Sequence, residues 1–450
     1  MINKDDLVVG VIGLGYVGLP LSLAFGEKVK TIGFDVNKKR VRDLKGGIDE
    51  TSEISYETLS LSRSLEFTDD EEMLFDINFY IVTVPTPIDE IKNPDLNLLR
   101  VASETIAKYL KPGDIVVYES TVYPGLTEEF CIPILEKISN LKCGKDGNDN
   151  GLTYDADKEF YVGYSPERIN PGDENRSLVD IIKVVSGSNS YARDKISAIY
   201  SLIIKAGIHL APSIKVAEAA KVIENTQRDL NIAFFNELSI IFSKLGISTH
   251  DVIDAAKTKW NFLALEPGLV GGHCIGVDPY YLAKKTLDIG LEPKLILAGR
   301  SVNEGMVFHV IDRIISELGR NNVSYTNASK VRVLILGLTF KENVSDIRNS
   351  KSIELFYKLV EFGYDVYVHD PHVSKDDLNT TLNYKFLPDL NSSSYFDVVV
   401  VSVPHKVYKD SATEIFSLID KRRKSIIFDL RGIFRKNKFA DNNYLSYITL

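Results

Sequence analysis

The stretch Val11-Ile12-Gly13-Leu14-Gly15-Tyr16-Val17-Gly18 decides the N-terminal fold, because it sets a Gly-x-Gly-x-x-Gly motif at the end of an apolar, β-branched run. In such a motif Gly13 permits a tight turn, Gly15 lets the backbone approach a pyrophosphate, and Gly18 allows close packing. The N-terminus of the helix that follows favours the negative charge of phosphates. The stretch therefore predicts a strand, a phosphate-binding turn and a helix.

Asp35 supports a dinucleotide site at this turn. It ends the next predicted strand, 22 residues after Gly13, where a carboxylate accepts hydrogen bonds from a ribose diol. An aspartate there favours NAD over NADP, because it repels the 2'-phosphate of NADP. The alternative is a glycine turn in a sheet that binds no dinucleotide.

Short apolar runs alternate with helical patterns along the chain, which is typical of parallel sheets with crossover helices. One series comprises 7–12, 29–34, 79–84, 115–118, 160–163 and 181–185, and a second comprises 331–336, 366–369, 398–403 and 426–430. The segment 8–15 is similar to 331–338, and 32–35 is similar to 368–370. We therefore expect an α/β protein with two Rossmann-like, doubly wound parallel-sheet domains.

Between the two series, residues 213–246 predict one long amphipathic helix that joins the domains. Its apolar positions recur at helical spacing and are Val216, Ala220, Ile223, Leu230, Phe234, Leu238, Ile241 and Leu245. A helix of some 30 residues spans about 45 Å, which is long enough to bridge two domains and offer a face to a second subunit. We expect loops at 142–155 and at 321–329, where Gly, Asn, Asp or Ser are frequent.

Composition narrows the class of protein. The chain has 450 residues and a net charge of −9, so it lacks the basic surface that nucleic acid or anionic lipid requires. Its three cysteines, Cys131, Cys143 and Cys274, form no Cys-x-x-Cys pair, which favours a reducing compartment over a disulfide framework. With no signal-peptide layout and no apolar run near ~20 residues, we expect a cytoplasmic protein with neither nucleic acid nor membrane as partner.

Cys274 lies in a stretch of small residues, Gly271-Gly272-His273-Cys274-Ile275-Gly276-Val277-Asp278. A thiol beside a dinucleotide site suggests capture of an aldehyde as a thiohemiacetal and its oxidation to a thioester, because a thiolate both attacks carbonyls and leaves well. The alternative is a small buried apolar residue. A metal site at His273, Cys274 and Asp278 lacks a fourth ligand, so we expect no metal.

Further polar residues lie on the long helix and at strand ends. Glu218, Lys221, Asn225 and Arg228 share one helical stripe, which is either a solvated face or a cleft face whose lysine and asparagine stabilise an oxyanion. Thr121 and Glu167 follow predicted strands, where the ligand crevice of a parallel sheet lies, and are candidates for water positioning and acid–base work. In the second domain, phosphate-binding candidates are Lys341, Arg348 and Arg431.

Together these residues resemble the UDP-glucose/GDP-mannose dehydrogenase family over nearly the whole chain. Within the family, 224–231 and 271–281 look most like the branch that oxidises UDP-N-acetylglucosamine or UDP-N-acetylgalactosamine for bacterial surface polysaccharides. The resemblance implies oxidation of C6 of the sugar from alcohol to carboxylate with two NAD+ and one water. It also implies an NAD-binding domain at 1–212, a central dimerisation region with the cysteine loop at 213–320, a UDP-sugar-binding domain at 321–450, and a homodimer.

The resemblance also implies a role for each matching residue. Cys274 would be the nucleophile, Lys221 and Asn225 would hold the oxyanion, and Asp278 would assist proton transfer. Glu167 would be the general base for thioester hydrolysis, and Thr121 would position the water. The implied NAD contacts are Gly13, Gly15, Tyr16, Val17, Gly18, Asp35, Arg40, Thr83, Pro85, Thr121 and Arg348. The implied UDP-sugar contacts are Glu167, Lys221, Asn225, Arg228, Gly271, Lys341 and Arg431.

The sequence departs from the UDP-glucose branch at Val277, where that branch usually has a lysine before the aspartate. The missing cation disfavours UDP-glucose as substrate. Lys257 and Lys259 occupy the neighbourhood of an arginine that some members lend across the dimer, so no role is transferred there. The alternatives are a UDP-glucose 6-dehydrogenase, a two-electron nucleotide-sugar dehydrogenase or epimerase in which Cys274 is a bystander, and a non-catalytic nucleotide-sugar sensor.

Overall fold

The computed structural model describes residues 4–50, 54–62, 64–145, 158–169, 176–321, 331–373, 384–422, 424–437 and 444–450. The chain divides into two compact units. The first comprises Met1–Asn225 with Tyr280–Glu292, and the second comprises Thr226–Pro279 with Pro293–Leu450.

The first unit is built on one sheet. Within the described residues its nine strands are β1 (Val8–Ile12), β2 (Lys30–Phe34), β3 (Leu65–Thr68), β4 (Phe79–Val82), β5 (Ile115–Tyr118), β6 (Lys142–Cys143), β7 (Glu159–Tyr164), β8 (Lys183–Gly187) and β9 (Ile208–Leu210). The order is β3-β2-β1-β4-β5-β7-β8-β9, and β6 pairs with β7. The described pairs are parallel except that β7 and β8 are antiparallel.

Helices cover both faces of this sheet. They are α1 (Gly18–Gly26), α2 (Lys38–Lys45), α3 (Tyr56–Leu61), α4 (Asn97–Ala107), α5 (Ile132–Ser139) and α6 (Ser190–Tyr200). Successive side chains of a strand point to opposite faces: in β5, Val116 and Tyr118 pack in one buried cluster and Ile115 and Val117 pack in another. Burial on both faces explains why the strands read as continuous apolar runs rather than alternating ones.

The second unit repeats this plan. Its described strands are β10 (Arg332–Leu336), β11 (Asp365–His369), β12 (Lys385–Phe386), β13 (Val398–Val401), β14 (Ser425–Asp429) and β15 (Leu445–Thr449), in the order β12-β11-β10-β13-β14-β15. The pairs are parallel. Its helices include α8 (Thr249–Ala256), α10 (Lys294–Arg320), α11 (Lys351–Glu361), α12 (Lys406–Asp410) and α13 (Ala412–Ser417).

Two further helices, α7 (Ile214–Leu245) and α9 (Asp278–Asp288), contribute residues to both units. The long helix predicted at 213–246 is confirmed by α7. In the second unit, buried polar contacts tie α7 to α10: Arg300 Nη1 lies 2.6 Å from Asp229 Oδ1, and Asn303 Nδ2 donates to the Asp229 carbonyl oxygen at 3.0 Å.

The burial of α7 is the reverse of a simple amphipathic surface helix. Five predicted apolar positions are exposed by 44% or more, namely Val216, Ile223, Phe234, Ile241 and Leu245. On the polar stripe, by contrast, Glu218, Lys221 and Asn225 are buried. The interpretation of that stripe as a solvated face is therefore wrong for these three residues, and Arg228 alone of the four is exposed.

The predicted α/β class with two parallel sheets is confirmed, and the predicted strands coincide with observed strands to within two residues at either end. Five short strands were not predicted: β3, β6, β9, β12 and β15. Of the two predicted loops, 142–143 forms β6, whereas 146–155 and 322–329 lie outside the described residues. Across the described part of the chain, no helix is both long and apolar enough to span a membrane.

Candidate active site

The glycine turn after β1 has the shape that a dinucleotide requires. Gly13 has φ +97°, a conformation that glycine adopts without steric cost. A Cβ at Gly18 would overlap the Gly13 carbonyl oxygen and the Thr83 hydroxyl, whereas a Cβ at Gly15 would meet nothing within 4 Å. The turn is therefore tightly packed at Gly18 and open to solvent at Gly15. Tyr16 and Val17, which follow Gly15, are half-buried.

Asp35 and Arg40 brace this turn from the next strand and helix. Asp35 Oδ2 accepts a hydrogen bond from Leu14 N at 2.8 Å, and Arg40 Nε donates to the Leu14 carbonyl oxygen at 2.9 Å. Arg40 is 4% exposed, and its Nη1 pairs with Asp49 Oδ1 at 2.7 Å. The structure thus places Arg40 behind the turn, where its backbone contact shapes the site, and leaves the half-buried Asp35 at its rim.

Thr83, Pro85 and Thr121 lie at the same carboxyl edge of the sheet. Thr83 Oγ1 donates to the Gly13 carbonyl oxygen at 2.7 Å, and Pro85 is exposed two residues later. Ser120 Oγ donates to the Val84 carbonyl oxygen at 2.6 Å, which holds the segment carrying Thr121 beside the segment after β4. Ligands of open parallel sheets bind outside this edge.

Glu167 follows β7 at this edge and carries a perturbed carboxyl group. Burial raises the pKa of Glu167, and the nearby ammonium of Lys221 and a hydrogen bond from Ile169 N only partly offset this. Lys221 and Asn225 are 6% and 8% exposed. A carboxyl group whose pKa is raised toward neutrality beside a buried cation is suited to proton transfer at physiological pH.

The loop that carries Cys274 belongs to the second unit. Gly272 has φ +89°, and a Cβ there would lie 2.6 Å from the Phe340 ring. Gly272 N donates to the Asn349 carbonyl oxygen at 3.2 Å, and Asp278 N donates to the Cys274 carbonyl oxygen at 2.8 Å. Cys274 is exposed, unlike Cys131 and Cys143. The alternative of a small buried residue is therefore wrong for Cys274.

Asp278 and Arg348 flank this loop within the same unit. Asp278 is 1% exposed at the start of α9. Arg348 pairs with Asp346 through Nη2 at 2.7 Å, and His273 Nδ1 lies 3.7 Å from the same carboxylate. His273 thus packs against the Arg348 pair, and no described group of His, Cys, Asp and Glu is arranged to hold a metal ion.

A cavity of about 230 Å³ lies at the carboxyl edge of the second sheet. Three predicted substrate residues line it together: Gly271, Lys341 and Arg431. The N-terminus of α11 also lines it, through the N-cap residue Ser350 and the first two helical residues, Lys351 and Ser352. A helix N-terminus with lysine and arginine side chains is a site for phosphate groups. Arg228 does not line this cavity.

Sequence reasoning missed several residues that the structure places at these two edges. Lys183, Glu119 and Tyr200 form a buried cluster beside Glu167, and Thr339, Ser350 and Ser402 line the cavity. A lysine within an apolar strand run was the available signal for Lys183. The serines and threonine carried no signal, because such residues are common in any loop.

Three family models match the chain consecutively. They describe the NAD binding domain, the central domain and the UDP binding domain of the UDP-glucose/GDP-mannose dehydrogenase family, at residues 7–204, 215–305 and 334–436. The chain belongs to the UDP-glucose/GDP-mannose dehydrogenase family. The resemblance seen in the sequence is thereby confirmed, and this family member is an NAD-dependent dehydrogenase of a UDP-sugar.

Individual relatives agree with this assignment. A Pseudomonas aeruginosa protein named UDP-N-acetyl-D-glucosamine 6-dehydrogenase is 48% identical to the present chain. The match covers 96% of the present chain and 98% of the Pseudomonas protein. Protein CapL of Staphylococcus aureus is 47% identical over 96% and 97% of the two chains. A solved UDP-D-ManNAc dehydrogenase from Pyrococcus horikoshii is 28% identical, with a TM-score of 0.83 over 98% and 99% of the chains.

The first unit of this dehydrogenase fits NAD. The positive-φ turn at Gly13 and the open space above Gly15 leave room for a pyrophosphate, and the Asp35 carboxylate retains lone pairs for a ribose diol beyond its bonds from Leu14 N and Asn37 N.

Proposed function

We propose that this enzyme oxidises C6 of a UDP-N-acetylhexosamine to the carboxylate, for synthesis of a surface-polysaccharide precursor. The observation that carries the proposal is the 48% identity, over nearly the full length of both chains, to a relative named for this activity. Overall, R–CH2OH, two NAD+ and water give R–COO−, two NADH and three protons. Residues 1–212 hold the cofactor, 213–320 supply the cysteine loop, and 321–450 hold the UDP group.

Cys274 is the nucleophile of this proposal. Bound NAD+ supplies the two-electron acceptor for each oxidation at C6. The exposed Cys274 thiolate adds to the aldehyde, and the resulting thiohemiacetal is oxidised to a thioester. Lys221 and Asn225 stabilise the oxyanion by charge and hydrogen bond, and the buried Asp278 assists proton transfer.

Hydrolysis of the thioester completes the reaction. Glu167 removes a proton from a water that Thr121 positions, the hydroxide adds to the carbonyl carbon, and the Cys274 thiolate leaves. The raised pKa of Glu167 supports this role, because a base poised nearer to neutrality is a stronger proton acceptor.

UDP-N-acetylated sugars are favoured over UDP-glucose. The position that carries a lysine in the UDP-glucose branch is Val277, which is 5% exposed and apolar. In the cavity of the second unit, Lys341 and Arg431 supply the positive charge for the UDP phosphates, and Gly271 lets its backbone approach the ligand. Arg228, exposed on α7, is a further substrate contact of this proposal.

We further propose that the enzyme forms a homodimer and is located in the cytoplasm. The exposed apolar positions of α7, which include Ile223, Phe234 and Ile241, form a stripe that a second copy of the helix would cover. All three cysteines are free thiols, which fits a reducing compartment.

The deciding experiment is the stoichiometry of NADH released per mole of sugar, run to completion with limiting UDP-N-acetylglucosamine, UDP-N-acetylgalactosamine and UDP-glucose in parallel. Two NADH per N-acetylated sugar are expected. One NADH per sugar would indicate a two-electron dehydrogenase, none would indicate an epimerase or a sensor, and turnover of UDP-glucose alone would overturn the substrate assignment.

A further inference from the structure

We propose that Glu119, Lys183 and Tyr200 form a positioning network that holds Glu167 and Thr121 in register for thioester hydrolysis. The inference rests on the proposed function, since it assigns residues to one step of that reaction. None of the three touches the substrate in this proposal; they act through the segments that carry Glu167 and Thr121.

The antiparallel strand β8 brings Lys183 to the site. Gly163 pairs with Gly187 and Tyr164 pairs with Ser186. Lys183 is the first residue of β8, and its Nζ reaches the carbonyl oxygen of Pro166, two residues beyond the end of β7. A parallel strand would have put its first residue at the opposite edge of the sheet. The single described antiparallel pair of this sheet therefore delivers a lysine to the carboxyl edge.

The contacts of Lys183 join the two segments of the hydrolysis site. Lys183 Nζ lies 2.7 Å from Glu119 Oε2 and donates to the Pro166 carbonyl oxygen at 3.2 Å. Pro166 immediately precedes Glu167, and Glu119 lies two residues before Thr121. One ammonium group thus binds the backbone next to the base and a side chain two residues before the water-positioning hydroxyl.

Tyr200 completes the network from α6. Its hydroxyl donates to Glu119 Oε1, and Lys183 Nζ lies 5.0 Å from the centre of its ring. The Glu119 and Lys183 side chains are 0% and 5% exposed, and Tyr200 is 0% exposed. Each carboxylate oxygen of Glu119 therefore has a partner, and the geometry of the pair is fixed from both sides.

Stability alone does not account for this ion pair. Two buried charges lose their hydration, and well-packed apolar residues of similar volume often serve stability as well or better. The two charges of the pair act on Glu167 in opposite directions, because Lys183 lowers the pKa of Glu167 while Glu119 raises it. Lys221 and the hydrogen bond from Ile169 N also lower the pKa of Glu167. Burial has the largest effect, and the pKa is raised overall.

Rapid-quench kinetics of Tyr200→Phe and Glu119→Gln test the network. Both variants should produce two NADH per active site in a burst within about twofold of the wild-type rate, because oxidation does not use the network. Steady-state kcat should then fall at least tenfold with KM for sugar and NAD+ unchanged. Intact mass should show an acyl adduct on Cys274 that hydroxylamine releases as a hydroxamate.

Tyr80→Phe is the matched control, because Tyr80 is a fully buried tyrosine of β4 whose hydroxyl donates to the Leu74 carbonyl oxygen at 2.8 Å. It should show wild-type steady-state turnover and no adduct. If Tyr200→Phe instead slowed burst and steady state equally, or behaved like Tyr80→Phe, the network would have no part in hydrolysis. Tyr200→Phe removes only a hydroxyl and keeps the test decisive should Glu119→Gln fail to fold.

Glu167→Gln separates this inference from the proposed function. An acyl adduct in Glu167→Gln without one in the network variants would overturn the network and leave the proposed function standing. Absence of the adduct from Glu167→Gln as well would overturn the assignment of Glu167 as the base, and the network with it.

Discussion

Asp35 and Asp370 occupy the same position in the two units. Asp35 Oδ2 accepts a hydrogen bond from Leu14 N at 2.8 Å, and Asp370 Oδ2 accepts one from Leu338 N at 2.6 Å. Each bond closes the turn after the first strand of its sheet, with a positive-φ glycine just before the donor. The weak internal repeat of the sequence is therefore a repeat of hydrogen-bonding geometry.

The two aspartates differ in what else they bind. Asp35 is half-buried, whereas Asp370 is 2% exposed and also pairs with His405 Nε2 at 3.1 Å. A ribose diol has access to Asp35 alone. The first unit is thus suited to a dinucleotide, and the second uses the same turn to shape the cavity beside Lys341.

Alanine substitutions in the glycine turn should separate folding from cofactor binding. Gly18→Ala places a Cβ against the Gly13 carbonyl oxygen and the Thr83 hydroxyl, which should destabilise the protein by about 1–3 kcal/mol. Gly15→Ala meets no neighbour within 4 Å, so thermal denaturation should match the wild type. Its Cβ would occupy the space for the pyrophosphate, so calorimetry should show NAD+ affinity at least about tenfold weaker. Wild-type affinity in Gly15→Ala would contradict this placement of NAD.

Alkylation should identify Cys274 as the reactive thiol. Cys274 is exposed, whereas Cys131 and Cys143 are buried. Burial raises the pKa of Cys143 to about 12 and also raises the pKa of Cys131, so neither is a thiolate at pH 8. Iodoacetamide should add one group per native chain, at Cys274, and abolish activity in step with labelling.

The variant Cys274→Ser is the control for alkylation and for mechanism. It should take up no label in the native state and form no uronate, with kcat for carboxylate formation reduced at least about a thousandfold. Uronate formed at the normal rate by this variant would exclude the thioester route.

The sequence predicted the fold well because apolar runs report burial. The strands at 115–118 and 398–401 stand out since both faces of each are covered. The direction of a strand does not change its pattern of apolar residues, so the sequence did not predict that β8 is antiparallel to β7. Short strands at sheet edges, such as β15 (Leu445–Thr449), are half-buried and carry too weak an apolar signal.

Sequence analysis predicted those parts of the candidate site that short local motifs encode. A glycine motif, an aspartate after a strand and a cysteine among small residues are visible in the sequence, and Gly13, Asp35 and Cys274 were singled out in this way. Lys183 was not, because its ion-pair partner Glu119 lies 64 positions away along the chain, and Glu119 in turn is 81 positions from Tyr200. Periodicity located the stripe of α7 but does not report which face meets the core.

The pH dependence of turnover should follow the carboxyl group of Glu167. A base must be deprotonated, so kcat should fall as pH decreases through the pKa of Glu167, which burial raises above the usual carboxyl value. Lys221 lowers that pKa, so Lys221→Met should move the acidic limb to higher pH and reduce kcat at least about tenfold. Lys215→Met is the control, because Lys215 lies on the same helix but is 54% exposed. If the acidic limb of the pH profile stayed in place in Lys221→Met, Glu167 would not be the group whose titration limits turnover.

Charged substitutions on the exposed stripe of α7 should dissociate the proposed dimer. Sedimentation velocity of the wild type should give twice the 50.4 kDa chain mass. Phe234→Arg or Ile241→Arg puts a cation on a side chain that is 54% or 44% exposed in the single chain, and its burial against a second helix would cost several kcal/mol without a partner charge. Both variants should therefore sediment as monomers.

Ile91→Arg provides the matched control for this dissociation, because Ile91 is also a large exposed apolar residue, 78% exposed, but belongs to a different element of the chain, the segment between β4 and α4. It should remain dimeric. A general loss of solubility or stability from surface arginines would affect all three variants alike, whereas an interface along α7 would affect only Phe234→Arg and Ile241→Arg. Wild-type sedimentation of those two variants would show that the α7 stripe is not where the copies meet.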